Sequence, residues 1–171
     1  TSEKNLFDFG SYAKVESNTK YLVFLNDNVS FSFDLIKLIK LSEFLFKNYN
    51  VGLIGLGTNT YNAQSFFKKS FSPHIQTNIF VLKSVDFNNF FKDKKEDLSN
   101  NDIPFFKKQI ICRIFEQGLS KYILSKNKSL CFIQGENIYT YSRKFKYDSK
   151  NDWNGEFGDY RFIKNSSPFN L

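Results

Sequence analysis

Arginine is scarce in this chain, three residues against 21 lysines within a formal net charge of +7. A balance that basic would ordinarily suggest nucleic acid or an anionic membrane, since clustered cations gain by releasing condensed counterions. Arginine, however, is the residue that forks phosphates and reads base edges. Lys, Asn, Ile and Phe are the abundant types, a bias that AT-rich codons impose whatever the protein does, so nucleic acid is not expected as a partner. Histidine and cysteine are almost missing as well: one His and two Cys exclude a four-ligand zinc site and a disulfide scaffold. No metal or cofactor is expected. Long apolar runs are also absent, because DLIKLIKLSEFLF is broken by Asp34, Lys37, Lys40 and Glu43 well short of the ~18 residues that a membrane span requires. Membrane contact could then only be peripheral. The opening TSEKN carries no charged-then-apolar signal pattern, which is compatible with a targeting segment having been removed ahead of it.

What the chain does have is apolar mass, with 41% hydrophobic residues and 22 Phe in 171 residues. Low hydrophobicity is the mark of disorder, so a folded, soluble domain is expected, and about 150 residues is an ordinary size for one. KYLVFL (20–25) is a continuous apolar run bounded by Asn and Asp and reads as a buried strand. From Phe31 the period changes to helical. Phe31, Leu35, Leu38, Ile39, Ser42, Leu45 and Phe46 share one face, and Ser30 or Ser32 can cap the start. VGLIGL (51–56) reads as a second buried strand, parallel to the first because a crossover helix joins them. A helix at YNAQSFFKKSF stops before Pro73. TNIFVLKS (77–84) is a third strand.

The stretch 87–104 is the most polar and reads as a surface loop or insertion. FFKKQIICRIFEQGLSKYIL (105–124) has helical spacing, and SLCFIQGENIYTYSRKF (129–145) is a hairpin turning at Gln134 to Asn137. LFDFGSYAKV near the start could form a short leading strand. This order describes an α/β domain over 1–149, a central mixed sheet with helices on both faces, followed by an aromatic tail over 150–171.

Three motifs in order, YLVFL before its turn, VGLIGLGT followed by NAQSFFKK, and the hairpin CFIQGENIYTYSR ending in Tyr141-Ser142-Arg143, resemble a peroxiredoxin-like protein. The likeness is to the thioredoxin-fold group related to alkyl hydroperoxide reductase and thiol-specific antioxidant, in its plastid and cyanobacterial branch. It runs from Leu6 to Arg143 and implies a thioredoxin-like fold. It also implies a thiol motif at the start of the first long helix, where backbone N–H groups and the helix dipole favour thiolate. Aligning YLVFL puts Ser30 where the attacking cysteine belongs, Phe31 in place of a proline, and Phe33 at the second cysteine. A hydroxyl ionises far above a thiol and cannot cycle through sulfenic acid and disulfide, so the family's peroxide chemistry is not expected.

The other chemical candidates have plainer readings. Cys112 and Cys131 sit in apolar runs as buried thiols. GLG at 55–57 lacks the third glycine of a dinucleotide loop and suits strand-end packing. His74 beside Pro73 reads as a surface or turn residue, Asp27 and Asp34 as a cap and a solvated helix face, and Arg113 and Arg143 equally as holders of an anion or as ion-pair partners. The expectation is a noncatalytic thioredoxin-fold subunit of a larger protein complex. It would be organellar, with a plastid photosystem or antenna first and a mitochondrion second. Trp153, Phe157, Tyr160, Phe162 and Phe169 are its candidate docking residues, aromatic types that anchor interfaces; the other reading of the tail is that it covers the core of its own domain. The alternative is a ligand-binding protein or enzyme using a pocket near Ser30 for non-thiol chemistry.

Overall fold

The computed structural model describes residues 11–26, 29–31, 34–56, 74–76, 78–99, 112–134, 137–141 and 162–164. Seven strands and three α-helices are formed by them. In chain order they are β1 (Tyr21–Leu25), β2 (Val29–Phe31), α1 (Leu35–Asn48), β3 (Val51–Leu56), β4 (Ile79–Lys83), α2 (Ser84–Ser99), α3 (Gln117–Ser125), β5 (Ser129–Gln134), β6 (Asn137–Tyr141) and β7 (Phe162–Lys164). A π-helical turn over Cys112–Glu116 leads directly into α3. The mixed α/β class follows: a five-stranded sheet ordered β1-β4-β3-β5-β6, and a separate two-stranded ladder of β2 with β7.

The apolar run of β3 occupies the centre of the sheet, and all six of its residues are buried. The equally apolar run of β1 is an edge, with Phe24 its one buried residue. Hydrophobicity marked both as strands without saying which would be central. β1 and β3 run in the same direction, as a helical crossover requires, yet they are not neighbours: β4 lies between them and is antiparallel to both. β3 and β5 form a parallel pair, and β5 with β6 closes the hairpin in register from Leu130↔Tyr141 to Gln134↔Asn137.

Helices cover both faces. On one, α1 presents Leu38, Leu41, Leu45 and Phe46 to Val51, Ile54, Leu56, Ile79, Val81, Cys131 and Ile133. Ile39, expected on that inner face, is 40% exposed, and Leu41 takes part in its place. The inner stripe is therefore centred about a tenth of a turn from the one the sequence suggested. On the opposite face α2 and α3 pack a phenylalanine-rich core of Phe24, Phe80, Phe87, Phe90, Phe91, Phe115 and Phe132. Phe24 stacks on Phe80 at 4.7 Å and on Phe87 at 4.9 Å, and Phe91 stacks on Phe115 at 6.0 Å. Pairs of this kind contribute about 0.5–1.5 kcal/mol each beyond the area they bury. Whatever biased the codons toward Phe, the fold uses the result as its main filler.

The polar stretch beginning at residue 87 is not a loop as far as Ser99, because it is the body of α2. Phe87, Phe90 and Phe91 recur at the i, i+3, i+4 spacing and are buried, while Asn88, Asn89, Lys92 and Asp93 are exposed. Three rings on one stripe outweigh a charge run that merely forms the wet side. The leading strand near the N-terminus is also not found over its described part. Ser11 and Tyr12 are helical and close a turn through Val15 N–H to Tyr12 C=O, and Tyr12 packs edge-on against Phe24. The expected helix over 61–71 lies outside the described residues.

Two turns enter the parallel pair in the same way. Asn50 after α1 and Asn127 after α3 adopt left-handed geometry, φ 47° and 57°, which asparagine tolerates better than most residues. Asn50 Nδ2 donates to the Asn127 carbonyl at 2.9 Å, and Ser129 N–H donates to the Asn50 carbonyl at 3.0 Å. Next to this clamp, β3 carries one extra residue between its pairings Val51↔Ser129 and Leu53↔Leu130. Gly52 is that residue, a β-bulge. A Cβ there would come within 2.6 Å of Ile123 Cγ2 and 2.9 Å of Lys128 Cβ, so glycine lets α3 sit close to the sheet.

Candidate functional site

The junction between β1 and α1 is where the family likeness expects a reactive group. After Leu25, Asn26 N–H donates to the Asn78 carbonyl at 2.8 Å, tying the end of β1 to the start of β4. Ser30 then lies in β2, exposed and paired with Ile163 of β7. It does not sit at the helix start. The cap of α1 is Asp34, not Ser30 or Ser32: its Oδ1 accepts from Ile36 N–H at 2.8 Å and Lys37 N–H at 3.4 Å. A carboxylate therefore satisfies two of the four free N–H groups and meets the positive end of the helix dipole. These are the features that would lower a thiol pKa, and here an anion already occupies them. Phe33 lies outside the described residues.

The described thiol is sealed. Cys131 is fully buried in β5, registered against Ile54 on one side and Thr140 on the other. Burial pushes its pKa far above the ordinary thiol value, because the apolar surroundings penalise thiolate. Backbone placement puts Cys112 at the first residue of the π-helical turn; its side chain, like that of Arg113, is outside the description. Asp27, Arg143, Trp153, Phe157, Tyr160 and Phe169 lie outside the described residues. Phe162 falls in β7, opposite Phe31, so the backbone of this one docking candidate is used within the chain.

Gly55 has the packing role expected of it. The side chain of Ile75 lies directly over it where a Cβ would be, and Ile75 N–H donates to the buried Ser120 Oγ at 2.9 Å. The half-buried His74 stands next to this anchored residue. Asn78 Nδ2 donates to Gln76 Oε1 at 3.1 Å, fixing the approach to β4. This group of amides lies at the end where β1 and β3 finish, and its visible hydrogen bonds hold chain segments together.

One cluster escaped the sequence. Lys128 Nζ bonds both carboxylate oxygens of Asp86, at 2.6 and 2.7 Å, with the lysine side chain 24% and the aspartate 7% exposed. Forty-two residues separate the partners, and no local spacing could have paired them. Asp86 stands in the first turn of α2, where its charge also complements the helix dipole. Nearby, the Tyr122 hydroxyl is pushed above its ordinary pKa, first by burial and then by the charges of Asp86 and Asp93. On the outer side of α1, Glu43 bonds Lys20 at 2.9 Å and Lys47 at 3.4 Å, which holds its carboxyl below the usual value. The Asp86–Lys128 pair and the Glu43 pairs join opposite charges, each with one partner on a helix.

Among the described residues, no group of three or more His, Cys, Asp or Glu is placed to hold a metal ion. No described helix is long and apolar enough to cross a membrane. No family model, no curated protein and no solved structure matches the chain.

Proposed function

We propose that this chain works through contact and not through turnover, as a noncatalytic α/β subunit of a larger protein assembly. The observation that carries the reading is the state of the α1 N-terminus. Its free N–H groups are bonded to Asp34, with Ser30 four residues away in a strand, while the Cys131 thiol is enclosed in the core. The site that would activate a peroxidatic thiol is thus built as a structural cap.

The finer part of the proposal is a degenerate peroxiredoxin-like protein of thioredoxin-like fold in an organelle, plastid before mitochondrion. It is supported by the order of the three motifs and by a mixed sheet with helices on both faces. The antiparallel course of β4 between β1 and β3 agrees with a mixed sheet and separates the two like-directed strands that flank α1. The likeness therefore rests on the order of β1, α1 and β3 and on the closing hairpin.

The test combines two measurements on the intact protein. Thiol labelling under native conditions, run alongside a peroxide-consumption assay, is expected to show slow labelling and no turnover above a thiol-free control. Sizing the protein at its native abundance is expected to place it in a particle much larger than 20.1 kDa. Rapid labelling with turnover, or a free monomer, overturns the reading.

A further inference from the structure

The hydrogen bonds of the edge strand β1 show which of its backbone groups face outward. Asn26 N–H donates to the Asn78 carbonyl at 2.8 Å, and Ser84 N–H to the Lys20 carbonyl at 3.2 Å. Bonded and non-bonded pairs alternate in an antiparallel ladder, so the register between these two bonds commits Leu22 and Phe24 to β4 and turns Tyr21, Val23 and Leu25 to the open side. The Tyr21 carbonyl there accepts from the Thr19 hydroxyl at 3.0 Å. Beyond β4, no strand among the described residues pairs with β1, which leaves the outward groups of Val23 and Leu25 without a ladder. Edges are usually blunted by charge, proline or a bulge. YLVFL has neither charge nor proline, and its register to β4 is unbroken.

The surface beside this edge is apolar at one end and basic at the other. Of the four large apolar side chains exposed among the described residues, three are Leu25, Ile36 and Ile39. Ile36, Ile39 and Glu43 lie along one stripe of α1, and Glu43 reaches Lys20 at 2.9 Å, so this stripe is the side of α1 turned to β1. Tyr21 and Val23 pack on the α1 face of the sheet, which by alternation is also the face of Leu25. α1 returns against the direction of β1, bringing Ile39 and then Ile36 toward the Leu25 end. At the Tyr21 end, Lys20 and Lys47 share the carboxylate of Glu43, and Lys83 Nζ lies 5.7 Å from the centre of the Phe46 ring, which stacks on Tyr21. Among the described residues, three cations there face one anion.

We propose that the β1 edge, with Ile36 and Ile39 beside it, receives an extended segment of a partner protein, apolar at alternate positions and acidic at the end that meets Lys20 and Lys47. The inference rests on the assembly role proposed above and names the surface that serves it. Main-chain groups of the incoming strand bond Val23 and Leu25, its alternate side chains cover Leu25, Ile36 and Ile39, and its carboxylates offset the lysines. Antiparallel entry, the more stable arrangement per residue, puts the acidic residues at the C-terminal end of the segment.

Hydrogen exchange on the full chain should show slow amides at Leu22 and Phe24 and fast ones at Val23 and Leu25. The probe is an end-capped peptide, Val-Thr-Val-Thr-Val-Glu-Glu, compared with the same peptide ending in Lys-Lys. The acidic form should slow the Val23 and Leu25 amides and bind several-fold more tightly, by a margin that shrinks in high salt. Val23→Pro removes an outward donor and should abolish binding with Leu22 and Phe24 still protected. Ile36→Ser combined with Ile39→Ser changes exposed positions only and should weaken binding with an unchanged denaturant midpoint. At native abundance both variants should leave the large particle. Val23 and Leu25 amides already slow in the free chain, or equal binding of the two peptides, overturn the proposal. Protection that needs no peptide and rises with protein concentration as the mass doubles makes a second copy the occupant and overturns the partner. Variants that stay in the particle overturn this surface and leave the assembly role standing, whereas a free monomer whose edge still binds the acidic peptide overturns the assembly role alone.

Discussion

Replacing Gly55 by Ala should destabilise the protein, and by less when Ile75 has already been truncated. Gly55 lies within β3 and needs no unusual backbone, so the cost of a methyl group there is steric. The new Cβ would fall on Ile75 Cγ2 and stand 3.2 Å from Cδ1 and 3.3 Å from Cβ of the same side chain. Because Ile75 Cβ is itself close, a change of rotamer does not clear the space and the backbone of Ile75 must shift. That backbone is held by its N–H bond to the buried Ser120 Oγ at 2.9 Å. Overpacking a tight site costs about 1–3 kcal/mol, and the pinned neighbour puts Gly55→Ala in the upper part of that range, about 2–3 kcal/mol. The corresponding fall in melting temperature is about 4–12 °C for a chain of this size. Ile75→Ala alone should cost about 2–5 kcal/mol through the cavity it leaves. In the double variant the new methyl group enters that cavity, so the combined loss should fall short of the sum by about 1–2 kcal/mol. Urea denaturation followed by far-ultraviolet circular dichroism, with unchanged m-values, measures all four corners of the cycle. Additivity within about 0.5 kcal/mol refutes the assignment of Ile75 to the space over Gly55.

Asp34→Ala should cost about 1 kcal/mol through the lost cap, and Asp34→Asn much less, whereas Ser30→Ala should leave α1 unaffected; denaturant midpoints rank the three. Lys128→Ala leaves the Asp86 carboxylate buried without its cation and should cost about 2–4 kcal/mol, and pairing it with Asp86→Leu should recover part of the loss in the same measurement. The carboxyl of Glu43 titrates below its usual value when folded, so its contribution to stability is present above the unfolded pKa and is lost as pH falls through the folded one. In an NMR titration, Lys20→Met should bring the Glu43 midpoint back toward the ordinary carboxylate value by more than Lys47→Met does, because the Lys20 bond is the larger cause; equal or opposite shifts contradict the geometry. Finally, Cys131 should react with a thiol reagent only at the rate of global unfolding, and labelling that keeps its speed in stabilising co-solvent contradicts its burial.

Patterns confined to one segment were legible wherever a single periodicity dominated. The six apolar residues of β3, the 3.6-residue stripe of α1 and the two strands meeting at Gln134 and Asn137 all appear where the sequence places them. α2 was misread because DKKED drew attention from the Phe87, Phe90, Phe91 stripe just before it. The cap of α1 was misplaced by a few residues because serine and aspartate cap alike, and only the observed bonds to Ile36 and Lys37 separate Asp34 from Ser30 and Ser32. At the candidate site, the sequence placed Ser30 in a short polar segment between the first strand and the first long helix. It gave no sign that β7 would draw Ser30 into a ladder with Ile163.

Composition and local period by themselves determined that this chain has a mixed α/β fold with an apolar strand before and after its first long helix. Those properties depend on which residues are present and how they alternate, and each segment expresses them alone. Tertiary structure decided the rest: β4 inserted antiparallel between β1 and β3, the bulge at Gly52, the Asp86–Lys128 pair and the return of β7 to β2. Backbone donors and acceptors are the same in every strand, so choosing a partner depends on how side chains from distant segments fill the two cores together, which no short stretch of sequence encodes.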